Sequence, residues 1–221
     1  MQHVDLFDTI DTMRAMRRLK PDPVPLELIR RILRSGTMAP SGQNTQAWAF
    51  IVVQNPETKQ FIKELYHRAI MSRLGQALVK RASDNSMAAK NIRAAVYLAE
   101  HFHEVPVLLL VCGMRDWPIS VPPELRVGKA PPSYGSVYPC IQNILLACRG
   151  LGLGASLTTA HMIFHDELAA RLGVPDGYGI VAILPIGYPR GKFGPVERRP
   201  AEELTYFDRW DDTAPPRSAS G

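Results

Sequence analysis

The sequence predicts an α+β fold, a sheet with helices packed around it. Three observations carry that expectation. Apolar residues recur at helical spacing in several separate stretches. Three short apolar runs, residues 47–54, 105–112 and 178–186, have the length of buried strands. Helical and strand segments follow one another without strict βαβ alternation, and no internal repeat is present. With 221 residues, 46% hydrophobic and 21% charged, the chain can bury a sizeable core. Residues 1–211 read as a single domain and 212–221 as a disordered tail.

The elements follow in order. Leu6, Ile10 and Met13 suit a first helix over residues 4–19, which Pro21, Pro23 and Pro25 break. Leu26, Ile29, Ile32 and Leu33 form one stripe, so residues 26–35 are a second helix with Gly36 as its stop. Residues 37–46 have no period and many small polar groups, and read as a loop. A strand (47–54) and a helix (57–66) follow. Residues 67–104 are largely helical, with a break at 84–86. The run 105–112 is the strongest strand. Residues 113–135 are rich in proline and glycine, a long irregular insertion of the kind that forms lids. Then come an apolar helix (136–149), a turn (150–154), a short helix (166–172) ended by Gly173, and a strand (178–186). From Gly187 an extended basic arm is expected.

Composition excludes several classes. No apolar run approaches the roughly 20 residues that cross a bilayer, so no membrane association is expected. The amino terminus lacks the basic start and apolar core of a secretory signal. Cys112, Cys140 and Cys148 are odd in number and sit in apolar surroundings. They read as reduced core thiols of a cytoplasmic protein. The net charge of +5 carries no compact basic tract alternating with aromatics, so nucleic acid is not the expected partner. Arginine is instead concentrated near both ends: Arg14, Arg17 and Arg18 early, Arg190, Arg198 and Arg199 late, with Lys192. That distribution suits a small anionic ligand held where the ends meet, or simply solvated faces.

The most informative stretch runs Ala39-Pro40-Ser41-Gly42-Gln43-Asn44-Thr45-Gln46-Ala47-Trp48. Ser41, Asn44 and Gln46 can supply the amides and hydroxyl that a flavin's pyrimidine edge needs, and Gly42 permits close backbone approach. On composition alone it also reads as an ordinary turn before a strand. In order along the chain stand Arg14-Ala-Met-Arg17-Arg18, Pro23-Val24-Pro25, this loop, Gly150-Leu-Gly152-Leu-Gly154, Ile186-Gly187-Tyr188-Pro189, Arg198-Arg199-Pro200 and Asp208-Arg209-Trp210. That ordered set resembles the nitroreductase family of FMN-dependent oxidoreductases. Residues 67–104 and 113–135 match it poorly.

The resemblance implies a central, mostly antiparallel β-sheet surrounded by helices, with a lid-like insertion, and FMN as cofactor. Arg14 and Arg17, with Arg198 from the far end, look like a phosphate clamp. Pro40, Ser41, Asn44 and Gln46 look like ring and ribityl contacts, reaching across a homodimer interface where FMN lies. Leu157, Thr158 and Thr159 fall where the family places backbone near the flavin's reactive nitrogen. Lys192, Arg18 and Arg199 are second choices for phosphate. The family usually has Ser where Ala15 stands, so only backbone or water can serve at Ala15. Leu19 and Ala47 replace an aromatic and a proline.

The implied activity is transfer of electrons from NADH or NADPH through the flavin to a nitroaromatic, quinone or similar small acceptor, in two half-reactions. No side-chain triad is needed, since the flavin carries the chemistry. The alternatives are a flavin-dependent dehalogenase, a flavin-cleaving relative, or a protein that only holds flavin. Weaker signals remain. Gly150-x-Gly152-x-x-Ala155 follows a helix rather than a strand, unlike a dinucleotide fingerprint. His101-x-His103-Glu104 is the polar end of a helix or a metal ligand set, the former being expected. His161 and His165 are structural or surface histidines, or line the pocket. Trp117, Tyr134 and Tyr138 cap a flavin as a lid or make interface or core contacts.

Overall fold

The computed structural model describes residues 5–80, 84–115 and 134–210. Among these, a four-stranded antiparallel sheet carries β1 (Trp48–Val53), β2 (Val107–Met114), β3 (Gly154–Ala155) and β4 (Tyr178–Gly187) in the order β1-β2-β4-β3. Helices α1 (Leu6–Thr12), α2 (Leu26–Thr37), α3 (Pro56–Lys80), α4 (Met87–Glu100), α5 (Val137–Gly150) and α6 (His165–Leu172) pack about it.

The two central strands are buried on both faces, which is why they read as unbroken apolar runs rather than alternating ones. On β2, Leu108, Leu110 and Cys112 face one core, with Ile62 and Leu65 of α3, Leu98 of α4 and Leu168 of α6. Val107, Leu109 and Val111 face the other, with Ile29 and Ile32 of α2 and Ile141 and Ile144 of α5. Each such leucine or isoleucine contributes about 1.5–3 kcal/mol by leaving water. The register of β2 on β4 slips once: Val111 pairs with Ala182 and Cys112 with Ile180, leaving Val181 as an extra residue. That bulge explains why Val181 and Ala182, neighbours in sequence, both join the second core.

Several expectations are corrected. The first helix ends at Thr12 instead of 19, because residues 13–20 find backbone partners elsewhere. Met16 N–H donates to Ala155 at 2.9 Å, Lys20 N–H to Tyr188 at 2.8 Å, and Arg18 accepts from Arg190 N–H at 2.9 Å. Tertiary pairing outweighs helical spacing there, since Leu6, Phe7 and Ile10 of α1 are largely exposed and give the helix little apolar burial to extend it. Gly36 does not stop α2. It lies inside it, where an added Cβ would stand 2.7 Å from Ile144 Cγ1 of α5. The glycine serves close helix–helix approach. The helix expected at 57–66 continues to Lys80, and α4 begins after the anticipated break, capped by Ser86. The short strand β3 was read only as a turn. Most of the insertion at 113–135, with Trp117, and the tail from 212 lie outside the described residues.

Candidate functional site

The two ends of the chain do meet. The arm after β4 runs beside residues 11–20: Leu19 bridges Pro189, and Val196 N–H donates to Asp11 at 3.2 Å. Ala15 bridges Ala155 in parallel, so the arginine-rich segment lies on the β3 edge of the sheet. The chain beyond β3 continues alongside β4, where Thr158 and Ile183 exchange both backbone bonds at 3.0 Å.

Where these pieces meet α3 and α4 there is a cavity of about 220 Å³. Arg17, Leu157, Thr158 and Thr159, which the resemblance names as cofactor contacts, line it, together with three polar residues the resemblance did not name: Tyr66, Arg73 and Ser156. Neither arginine forms an ion pair with any described residue, and no carboxylate among the described residues lines the cavity. Burial raises the Tyr66 phenol above its usual range, opposed by its contact with the Thr158 side chain and by the Arg17 charge. Tyr66 therefore stays a neutral donor. Its ring is fixed by stacking on Phe102, centroids 4.2 Å apart. Two guanidinium groups and four hydroxyls make this wall rich in donors, suited to an anionic or carbonyl-bearing ligand.

The other proposed contacts are placed differently. Arg14 and Arg198 are exposed and do not line the cavity; Arg198 Nη1 donates to the Glu197 carbonyl at 2.8 Å. Ala15 is exposed on the bridged segment. Of the second choices for phosphate, Arg18 lies over the Tyr97 ring, 4.4 Å from its centroid, and Arg199 pairs with Glu203 at 3.2 Å.

The loop of Pro40, Ser41, Asn44 and Gln46 lies at the β1 edge. From β1 to β3 is three strand spacings, about 14 Å. One copy of the chain therefore does not bring the loop onto its own Arg17 cavity. The loop is tightly built. Ser41 Oγ accepts from Gln46 N–H at 3.0 Å, Ser136 Oγ from Gly42 N–H at 3.3 Å, and the Thr45 hydroxyl donates to the Gly42 carbonyl. Gln43, Asn44 and Gln46 have φ of 52°, 54° and 50°, left-handed values that non-glycine residues adopt at a cost. Such strain gathered in one loop, with its amide side chains exposed, is the kind kept for binding.

The remaining titratable groups are structural. Burial pushes the thiols of Cys140 and Cys148 up to about 12 and that of Cys112 to about 11, so none is a ready nucleophile. His101 Nδ1 is 2.8 Å from the Tyr97 carbonyl and its ring stacks on Tyr97. Tyr134 and Tyr138 meet edge to face, 6.4 Å apart. His161 is fully buried, its Nε2–H donating to the Ile180 carbonyl at 2.7 Å, while His165 Nε2 accepts from Ile180 N–H at 3.2 Å.

Desolvation, chiefly, lowers the pKa of His161; the Ile180 bond raises it in part, and His165 lowers it further. The folded protein thus binds fewer protons than the unfolded chain, whose histidine titrates near about 6.5. His161 contributes stability above that pH, and the contribution is lost as pH falls through the lower folded value. Urea unfolding at pH 7.5 and 5.5 is expected to show lower stability at 5.5, with the difference reduced in His161→Gln. An equal difference in both proteins would assign the pH dependence to other groups.

A family model described as Nitroreductase family matches residues 10–188. An NADH dehydrogenase of Thermus thermophilus is 30% identical over 202 residues, 88% of this chain and 91% of that protein. An iodotyrosine deiodinase of Nematostella vectensis is 25% identical over 204 residues, 90% of this chain and 74% of that protein. Among solved structures, an oxidized iodotyrosine deiodinase bound to FMN and 3-iodo-L-tyrosine superimposes with a TM-score of 0.67 at 24% identity, covering 94% of this chain and 99% of that one.

Proposed function

This chain belongs to the nitroreductase family, and on that premise we propose that it is an FMN-dependent oxidoreductase, taking electrons from NADH or NADPH and passing them to a nitroaromatic, a quinone or a similar small acceptor. The observation that supports this most is the donor-lined cavity where Arg17, Arg73, Tyr66, Ser156 and Thr158 converge. The residues fit FMN. Ser156 Oγ is buried without a partner among the described residues, and the ligand's phosphate and pyrimidine carbonyls are the acceptors that such a wall lacks. At about 220 Å³ the cavity is smaller than a site enclosing a whole cofactor, so it takes one polar part of the ligand.

The rest of the site is proposed to come from a second copy. The strained loop of Pro40, Ser41, Asn44 and Gln46 is at the far edge of the sheet from Arg17, so a homodimer would present the loop of one subunit to the cavity of the other. Arg14 and Arg198, with the backbone of Ala15, extend the clamp along the outside, where the two chain ends meet. Leu157 and Thr159 shape the cavity mouth.

The chemistry FMN supplies when bound is two-electron transfer in two separate half-reactions. This chain's part is to hold the cofactor, to present Thr158 O–H and Tyr66 O–H as neutral donors, and to place the Arg17 and Arg73 charges where negative charge would develop. The similarity to an NADH dehydrogenase supports a nicotinamide donor. Similarity to an iodotyrosine deiodinase over 90% of the chain favours a second reading, reductive removal of halogen from an aromatic.

A visible spectrum of the purified protein, followed by anaerobic NADH or NADPH, tests the proposal. Flavin absorption that bleaches on addition is the expected result. Halide release from a halogenated aromatic, without quinone turnover, would favour the second reading. Flavin that neither nucleotide reduces would point to a holding role. A colourless protein that takes up no added FMN would overturn the assignment of cofactor.

A further inference from the structure

We propose that Ser156 is itself a flavin-holding residue, its hydroxyl reserved for the ligand at the floor of the Arg17–Arg73 cavity; this rests on the FMN reading above. Ser156 is 3% exposed, and its Oγ has no hydrogen-bond partner among the described residues. A buried hydroxyl without a partner forfeits its bonds to water, so it is kept only where something satisfies it. Three side-chain atoms are buried and unpartnered among the described residues, and of these Ser156 Oγ alone belongs to a residue lining this cavity.

The backbone explains how the hydroxyl comes to be there. Gly154 pairs with Gly187, Ala155 with Ile186 and Thr158 with Ile183, all in one register. That register sets Ser156 opposite Pro185. Proline has no N–H, so the ladder is interrupted at this position. The pairing resumes at Thr158. Successive side chains of an extended segment alternate faces, which puts Ser156 and Thr158 on the same side. Both line the cavity against Tyr66 and Ile70 of α3 and Leu98 of α4. Ala155, between sheet and α5, faces the other core. The two hydroxyls are therefore a pair set by register. Thr158 Oγ1 has a protein partner, Ala160 N–H at 3.2 Å, and Ser156 has none.

The test is titration of FMN into the flavin-free full chain, followed by quenching of flavin fluorescence, for wild type and Ser156→Ala. Thermal unfolding of the flavin-free forms is the second measurement. The alanine variant is expected to bind FMN about five- to tenfold more weakly, the worth of one hydrogen bond. Its flavin-free form should unfold at the same or a higher temperature, because no partner has been orphaned. Equal affinity in the two proteins would overturn the proposal while leaving the FMN reading intact. Weaker binding accompanied by a lower unfolding temperature would also overturn it, making the hydroxyl structural. Failure of wild type to bind FMN would remove the reading and this inference together.

Discussion

Replacing Arg17 and Arg73 together by methionine is expected to weaken FMN binding by at least about 100-fold and to yield colourless protein. Methionine keeps most of the stem and removes only the charged head. Both arginines face one cavity and neither has an ion pair among the described residues, so a bound anion is the partner that makes their proximity favourable. Each charge-assisted bond is worth about 1.5–3 kcal/mol. Two such bonds sum to about 3–6 kcal/mol, and each 1.4 kcal/mol is a factor of ten in affinity. The flavin-free fold should not suffer, since removing two like charges from one wall relieves repulsion. Arg18→Met is the control. That guanidinium rests over Tyr97, so its loss should cost about 0.5–1 kcal/mol of stability and leave FMN affinity unchanged. Flavin titration and thermal unfolding of the three proteins check this. A double variant as yellow as wild type would shift the clamp to Arg14 and Arg198, on the outer surface.

The contrast between Arg17 and Arg73 shows what the sequence carried. Arg17 was legible because it belongs to an ordered motif, and the expectation that the chain's ends meet rested on charge distribution alone; the bridge of Leu19 to Pro189 bears that out. Arg73 was not legible, for a definite reason. Tyr66, Ile70 and Arg73 stand at i, i+4 and i+7 on α3, one face of a helix. On sequence this helix is divided at residue 66 from the largely helical stretch after it, so one continuous face carrying all three residues does not emerge. The strands read well because β2 and β4 are buried on both sides, and a continuous apolar run is the simplest pattern there is. The two-residue β3 has no period to find; only its glycine, pressed against Met16, Leu19 and Pro189, marks it. Ser156 was hidden for the same reason, as its meaning depends on facing Pro185. Periodicity reports which side of an element is buried. It does not report which edge of a sheet a loop occupies, so the distance between the Ser41 loop and Arg17 had to come from topology.

Substituting Gly154 should couple stability to cofactor binding, because this glycine seats the arginine segment on the sheet. A Cβ there would come within 2.8 Å of Leu19 Cδ2, 3.0 Å of Met16 Cβ and 3.2 Å of Pro189 Cβ. The leucine methyl can swing aside. The other two atoms are next to backbone, so relief requires the segment of residues 15–19, or the arm at 189, to move. Overpacking of this kind costs about 1–3 kcal/mol. In a chain of this size each kcal/mol shifts the melting temperature by roughly 2–4 °C, so Gly154→Ala should melt about 3–10 °C lower. Arg17 is between Met16 and Leu19 and is displaced with them, so FMN affinity should fall too. Gly150→Ala separates this effect from any general response to losing a glycine. Nothing lies within 4 Å of a Cβ at Gly150, the last residue of α5, so that variant should be neutral or slightly more stable, with unchanged affinity. If Gly154→Ala melts lower but binds FMN as wild type does, the 15–19 segment does not position the cavity's arginine, and the seat is a matter of packing alone.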